Sequence, residues 1–92
     1  MRKIVISNAF KKDLKLAKKR NCKIEKLHEI VDKLARDETL EEKYHDHKLT
    51  GNYSEYRECH ITSDWLLIYR KEDDELQLYL FRNGTHSDLF SK

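Results

Sequence analysis

The sequence predicts an α+β protein in which two N-terminal helices pack on a largely antiparallel sheet of four to five strands. Apolar residues recur at helical spacing in the first third of the chain and alternate with polar residues in the second half. The predicted strands are separated by short polar turns, and the 92 residues include no proline, no repeat and no low-complexity linker. We therefore expect residues 1–92 to form one domain, ordered as strand, helix, helix and then four strands.

The N-terminal part predicts one strand and two helices. Lys3 to Ile6 is short and β-branched, which favours a strand, and Ser7 or Asn8 can cap the helix that follows. We expect this helix to end at Arg20-Asn21, because Asn tolerates the left-handed conformation of many helix ends. Its apolar stripe consists of Phe10, Leu14 and Ala17. A second apolar arc predicts the second helix and consists of Ile24, Leu27, Ile30, Val31 and Leu34.

Strands are expected at residues 44–49, 53–60, 64–71 and 75–82, which are rich in Tyr, Leu, Ile and Trp. Side chains alternate between the two faces of a strand. Leu66 and Ile68 should therefore face one side of the sheet, opposite to Trp65, Leu67 and Tyr69. Both glycines, Gly51 and Gly84, fall in predicted turns.

The net charge of +2 conceals an asymmetry along the chain. Residues 1–36 carry twelve basic and four acidic side chains, whereas residues 37–92 carry seven and thirteen. Five lysines share the side of the first helix opposite its apolar stripe, namely Lys11, Lys12, Lys15, Lys18 and Lys19. Two interpretations stand: a solvated helix face, or a surface that contacts the phosphates of RNA.

Several classes of protein are disfavoured by composition. The sequence has no long apolar run and no charged-then-apolar leader, so neither a membrane span nor a secretory signal is expected. Cys22 and Cys59 form neither a metal-binding spacing nor a disulfide framework. We expect a cytoplasmic protein.

Titratable residues concentrate in the second half of the chain, at His47, Glu58, His60, Asp64 and His86. Strand alternation places Tyr56, Glu58 and His60 on one face. Asp64 opens the next strand, and we expect its carboxylate to turn towards His60 and hold that ring in one tautomer. Such groups suit acid–base chemistry.

Two other chemistries use the same residues. His45 and His47 would share a strand face and, with Glu58, His60 or Asp64, could ligate a divalent metal ion. Nucleophilic catalysis would use Cys59 beside His60, but adjacent strand residues point to opposite faces, which makes that pairing geometrically poor.

Four motifs in order resemble the YafQ branch of the RelE-like toxins, the toxin halves of bacterial type II toxin–antitoxin pairs. The motifs are DHKLTG at 46–51, YRECH at 56–60, DWLLIY at 64–69 and RNGTHSDLF at 82–90. The preceding strand and helices match the family's layout, so the resemblance covers essentially the whole chain. It implies a RelE-like fold with the order β-α-α-β-β-β-β.

The resemblance implies a ribosome-dependent mRNA endonuclease that cuts the message in the ribosomal A site without a metal or cofactor. In such cleavage a general base removes the 2′-OH proton, the oxygen attacks the adjacent phosphate, and a general acid protonates the departing 5′-oxygen. The products are a 2′,3′-cyclic phosphate and a 5′-hydroxyl.

Carried over by motif, His86 is expected to be the general acid and His47 or His60 the general base, with Asp64 orienting one of them. Glu58 is also carried over as a catalytic-site residue, but it stands where the family member compared has aspartate, and no base role is assigned to it. Arg82 either stabilises the charge of the transition state or caps a strand in solvent. Phe90 either stacks on or braces a base or folds onto the core.

The resemblance also implies partners. These are a cognate antitoxin of the RelB or DinJ type, ribosomal RNA that meets the lysines of the first helix, mRNA, and promoter DNA reached only through the antitoxin. No membrane partner is expected. The alternative function is a catalytically weak module of the same fold that binds RNA or the antitoxin.

Overall fold

A five-stranded sheet forms the centre of the computed structural model, which describes residues 1–90. The strands are β1 (Lys3–Ile6), β2 (His47–Lys48), β3 (Arg57–Thr62), β4 (Trp65–Glu72) and β5 (Gln77–Gly84). They are ordered β1-β5-β4-β3-β2 across the sheet, with β1 parallel to β5 and every other pair antiparallel. The predicted α+β class and the largely antiparallel sheet are confirmed.

The two predicted helices are α1 (Asn8–Lys19) and α2 (Ile24–Ala35). Ser7 caps α1, its hydroxyl accepting a 2.9 Å hydrogen bond from the Phe10 backbone N–H. After α1, Asn21 has a φ of 60°, the left-handed conformation that ends the helix. Both boundaries agree with the sequence prediction.

Two apolar clusters cover the two faces of the sheet. The larger cluster lies between the sheet and helices α1 and α2, and its sheet residues include Cys59, Trp65, Leu67 and Tyr69. The smaller cluster lies on the opposite face and contains Leu66, Ile68 and Leu89. The predicted alternation along β4 is therefore confirmed. We call the face of Leu66 and Ile68 the open face, because neither α1 nor α2 belongs to its cluster.

The strands before residue 60 differ from prediction. The expected strand 44–49 is reduced to β2, because Glu42–Tyr44 forms a 3₁₀ turn that ends on His45 with a φ of 48°. The expected strand 53–60 starts at Arg57, because Gly51–Tyr53 forms a second 3₁₀ turn whose first residue has a φ of 67°. Tight turns replace extended backbone at both places.

The C-terminal end contains an element that was not predicted. β5 continues to Gly84, and a short helix, α3 (His86–Phe90), follows directly. Five residues are too few to display helical periodicity in a sequence. Within residues 1–90, none of the helices has the length and apolar character that crossing a bilayer requires.

Candidate active site

His47 and Glu58 form the first contact of the site. They face each other across β2 and β3, with His47 Nε2 3.4 Å from Glu58 Oε1. Glu58 is buried, whereas the His47 side chain is half exposed. The other ring nitrogen, Nδ1, lies 2.6 Å from the His45 carbonyl oxygen, so it donates a hydrogen bond there. The structure thus fixes both the position and the orientation of the His47 ring.

His60 lies in the next row of the sheet, beyond the end of the short strand β2. Its ring packs edge-on against His45, with a centroid distance of 5.3 Å. In the register of the sheet, His60 of β3 lies opposite Leu66 of β4, and Leu66 lies opposite Gly84 of β5. Gly84 comes two residues before His86. His60 and Gly84 are therefore two strand spacings apart, about 10 Å at the backbone. This places the segments that carry His60 and His86 at the same end of the sheet.

Asp64 does not orient His60, contrary to the sequence prediction. Its carboxylate accepts a 3.2 Å hydrogen bond from the Thr62 hydroxyl within the turn between β3 and β4. Asp64 and His60 line two different cavities that share Thr62 as a wall. The prediction assumed a turn at residues 61–63, but β3 continues to Thr62 and β4 begins at Trp65, so Asp64 lies within a two-residue turn.

His86 opens α3, and its imidazole ring lies 5.4 Å from the ring of Phe90. The Phe90 ring also contacts the Tyr53 ring edge-on, with a centroid distance of 5.9 Å. Phe90 remains 37% exposed, and Leu89 is the residue of α3 that packs in the smaller apolar cluster. Phe90 therefore braces His86 on the surface and does not fold onto the core.

Arg82 is held by an acid for which the sequence gives no local signal. Asp13 of α1 accepts hydrogen bonds from Arg82 Nε at 2.6 Å and from a terminal nitrogen at 3.1 Å. The same carboxylate accepts a 3.1 Å bond from the Asn83 backbone N–H and raises the pKa of the Arg82 guanidinium. Arg82 is thus a fixed cation beside the site, and it is not a freely solvated cap.

Asp46 supports the segment that carries His47. Its carboxylate accepts hydrogen bonds from the Tyr69 hydroxyl at 2.6 Å and from Arg57 Nε at 3.3 Å. Burial, followed by the bond to Asp46, raises the pKa of Tyr69. The sequence offered no local signal for this pair, because Asp46 and Tyr69 meet only in the folded chain.

The Cys59 side chain points away from the open face. Its side chain has no exposed surface and belongs to the larger cluster, under the helices. Burial raises the pKa of its thiol, which disfavours the thiolate that a nucleophile requires. The poor pairing of Cys59 with His60, expected from strand alternation, is confirmed.

The five lysines of α1 are all exposed. None of them forms a salt bridge with an acidic residue of the described chain. We call this surface the lysine face; it consists of Lys11, Lys12, Lys15, Lys18 and Lys19. An unpaired basic face is available to a polyanion.

A metal centre does not fit the donors in residues 1–90, where no three His, Cys, Asp or Glu side chains are placed to hold a metal ion. His45 precedes β2 in a left-handed conformation, so only His47 of the two belongs to the strand. Their rings contact different partners, His60 for His45 and Glu58 for His47.

The comparisons with known proteins agree over nearly the full length. Residues 2–91 match the family model described as "Bacterial toxin of type II toxin-antitoxin system, YafQ". The chain is 39% identical to the mRNA interferase toxin YafQ of Escherichia coli strain K12, covering 97% of this chain and 96% of that protein.

The solved structures that are similar to this fold include the following two. The metal-bound toxin from Helicobacter pylori has a TM-score of 0.93 and 41% identity, covering 98% of this chain and 100% of that one. The matching chain of the E. coli DinJ-YafQ complex has a TM-score of 0.88 and 38% identity, covering 98% of this chain and 99% of that one. The matching fold, family model and sequence identity lead to one conclusion: this chain belongs to the YafQ family of bacterial toxins from type II toxin–antitoxin systems.

Proposed function

We propose that this chain is an mRNA interferase, an endoribonuclease that cuts mRNA on the ribosome and thereby inhibits translation. The observation that carries the proposal is that the segments bearing His60 and His86 lie at one end of the sheet, where Gly84, two residues before His86, is two strand spacings, about 10 Å, from His60 at the backbone. A phosphodiester between two imidazoles has a proton acceptor on one side and a proton donor on the other. The curated E. coli relative is named an mRNA interferase toxin.

In the proposed reaction His47 or His60 removes the proton of the ribose 2′-OH. The 2′-oxygen then attacks the adjacent phosphorus, and the bond to the 5′-oxygen breaks. His86 donates a proton to that leaving oxygen. The products are a 2′,3′-cyclic phosphate and a 5′-hydroxyl. Each correctly placed proton transfer contributes about 10²–10⁴ in rate.

The charged and aromatic neighbours have supporting roles in this proposal. Arg82, fixed by Asp13, places positive charge near the phosphate as negative charge develops in the transition state. Phe90 presents its exposed ring to a nucleotide base while bracing His86. Asp64 contributes an exposed carboxylate at the same end of the sheet. Glu58 acts through His47, whose ring it contacts.

Both proton transfers of the proposed reaction use imidazoles, so no step needs a metal ion. The related toxin from Helicobacter pylori is described as metal-bound. Cleavage by this chain is expected to persist in excess EDTA. Loss of cleavage on chelation, restored by an added divalent ion, would contradict metal-independent catalysis.

The proposed partners are a DinJ-like antitoxin, the ribosome and mRNA, in the cytoplasm. A solved complex joins the similar E. coli YafQ to DinJ. The lysine face would contact ribosomal RNA, and the ribosome would supply much of the positioning of the message. Promoter DNA would be reached only through the antitoxin.

The test is induction of the wild-type chain and of His86→Gln in bacteria that lack the antitoxin, followed by mapping of mRNA ends. Wild type should arrest growth and cut mRNA within translated regions, whereas His86→Gln should do neither at matched expression. Ser87→Ala, an exposed neighbour on α3, serves as the control. Intact mRNA with the wild type would favour the alternative, a binding module without turnover.

A further inference from the structure

A reciprocal pair of hydrogen bonds defines the start of α3. The Asp88 backbone N–H donates to the Thr85 hydroxyl at 3.1 Å, and the Thr85 N–H donates to Asp88 Oδ2 at 3.0 Å. This is a capping box around His86. A helix of only five residues is not stable by itself in water, so its position depends on contacts with the rest of the protein.

One of those contacts joins α3 to the end of α1. Arg20 follows the last residue of α1, and both of its terminal nitrogens reach the Asp88 carboxylate, at 2.6 and 3.3 Å. Two parallel bonds fix direction as well as distance. Arg20, followed by the Thr85 N–H, also lowers the pKa of Asp88, so the pair stays charged in mild acid.

Gly84 provides the space for this arrangement. A Cβ added at Gly84 would lie 3.0 Å from the Cβ of Asp88 and 3.1 Å from Oδ2, the oxygen that bonds to both Arg20 and Thr85. The backbone φ of +157° at Gly84 is also one that other residues rarely adopt. Glycine at this position therefore lets the Asp88 side chain lie against the end of β5.

We infer that Arg20 and Asp88 are positioning residues that hold the His86 imidazole at the site by clamping α3 to α1 and β5. His86 lies inside the turn that Thr85 and Asp88 close, and its ring is braced by Phe90 within the same helix. Displacement of α3 would move the proposed general acid relative to His60. This inference rests on the proposed function.

Two substitutions distinguish positioning from simple attraction of RNA. Arg20→Lys keeps the positive charge but removes the paired hydrogen bonds to Asp88. Asp88→Asn keeps an oxygen that can accept from the Thr85 N–H but removes the charge that pairs with Arg20. If Arg20 merely attracted RNA, Arg20→Lys would match wild type, and Asp88→Asn would bind ribosomes more tightly because a negative charge is gone.

If Arg20 and Asp88 are positioning residues, both substitutions should lower kcat by about 10- to 100-fold and leave KM for programmed ribosomes unchanged. Amide hydrogen exchange at Leu89, whose N–H bonds to the Thr85 carbonyl, should become faster in both variants. Arg36→Lys is the matched control. Arg36 follows the last residue of α2 and pairs with Asp32 and Glu38, and this variant should leave kcat and Leu89 exchange as in wild type.

Wild-type kcat in both Arg20→Lys and Asp88→Asn would overturn the clamp, as would a loss that appears wholly in KM. A lower kcat at an unchanged free energy of unfolding supports it over general destabilisation. A wild-type chain that leaves mRNA uncut on ribosomes contradicts the proposed function itself. Exchange at Leu89 is measured without substrate, so the two failures are distinguishable.

Discussion

His47 Nε2 faces the buried carboxylate of Glu58 at 3.4 Å while its Nδ1 donates to the His45 carbonyl oxygen. Glu58 is buried on β3 directly opposite His47 of β2, whereas the His47 side chain is half exposed. The two contacts therefore hold an accessible imidazole between a buried acid and the backbone.

We predict that Glu58→Leu increases stability while reducing cleavage. Glu58 is 3% exposed, and its second oxygen, Oε2, has no hydrogen-bond partner in the described chain. Replacing an incompletely paired buried acid by an apolar side chain should raise the free energy of unfolding by about 1–3 kcal/mol. Cleavage should fall about tenfold or more, because His47 loses its partner.

Urea unfolding and cleavage of ribosome-bound mRNA measure the two effects separately. Ile68→Leu, a buried apolar exchange in the same row of the sheet, is the control for repacking. A Glu58→Leu protein less stable than wild type would contradict the predicted gain in stability. Full cleavage by that protein would remove Glu58 from the proposed site.

The lysine face should control ribosome affinity through salt-dependent contacts. The double variant Lys12→Gln and Lys15→Gln should weaken ribosome binding and reduce the slope of log affinity against log salt by about 0.7–0.9 for each phosphate that is no longer neutralised. The matched control is the double variant Lys3→Gln and Lys33→Gln, which makes the same charge change on β1 and α2. Equal salt slopes for the two double variants would support the solvated-face interpretation.

Cys59 should be dispensable for catalysis and protected from reagents. Cys59→Ala should keep the cleavage rate of wild type and lose about 1 kcal/mol of stability from a small cavity. In the native protein iodoacetamide should label the partly buried Cys22, and Cys59 only after unfolding. Mass spectrometry of labelled peptides measures this difference. Loss of cleavage in a folded Cys59→Ala protein would restore the nucleophile hypothesis.

Acid should weaken the ion pairs that Asp37 makes with the sheet. Lys71, followed by Arg2, lowers the pKa of Asp37 from 3.8 to about 2. A depressed carboxyl pKa contributes stability that is complete above the unfolded value and disappears as pH falls through the folded value. Asp37→Asn should therefore be less stable than wild type near neutral pH, with a difference that shrinks between pH 3.8 and about 2.

Thermal unfolding of the two proteins across that pH range provides the measurement. Asp74→Asn is the control, because Asp74 is exposed in the turn before β5 and forms no salt bridge within residues 1–90. A stability difference for Asp37→Asn that stays constant down to pH 2 would contradict the assigned ion pairs.

The sequence alone determined the elements whose local patterns agree with their environment. The helical stripe from Phe10 to Ala17, the cap at Ser7 and the alternation from Trp65 to Tyr69 all appear as expected, since each depends on residues a few positions apart. The motifs around His47, His60 and His86 identified the family, because their order and spacing can be read directly from the sequence.

Only the tertiary structure decided which side chains meet. Asp13 with Arg82 and Arg20 with Asp88 are separated by 69 and 68 residues, and no local rule pairs them. Asp64 bonds to Thr62 and not to His60, because the strands extend further than expected and leave Asp64 in a two-residue turn. Helices and strands follow from the propensities of residues that are close in sequence. The geometry of a site, by contrast, depends on how distant segments pack against each other, and that packing exists only in the folded chain.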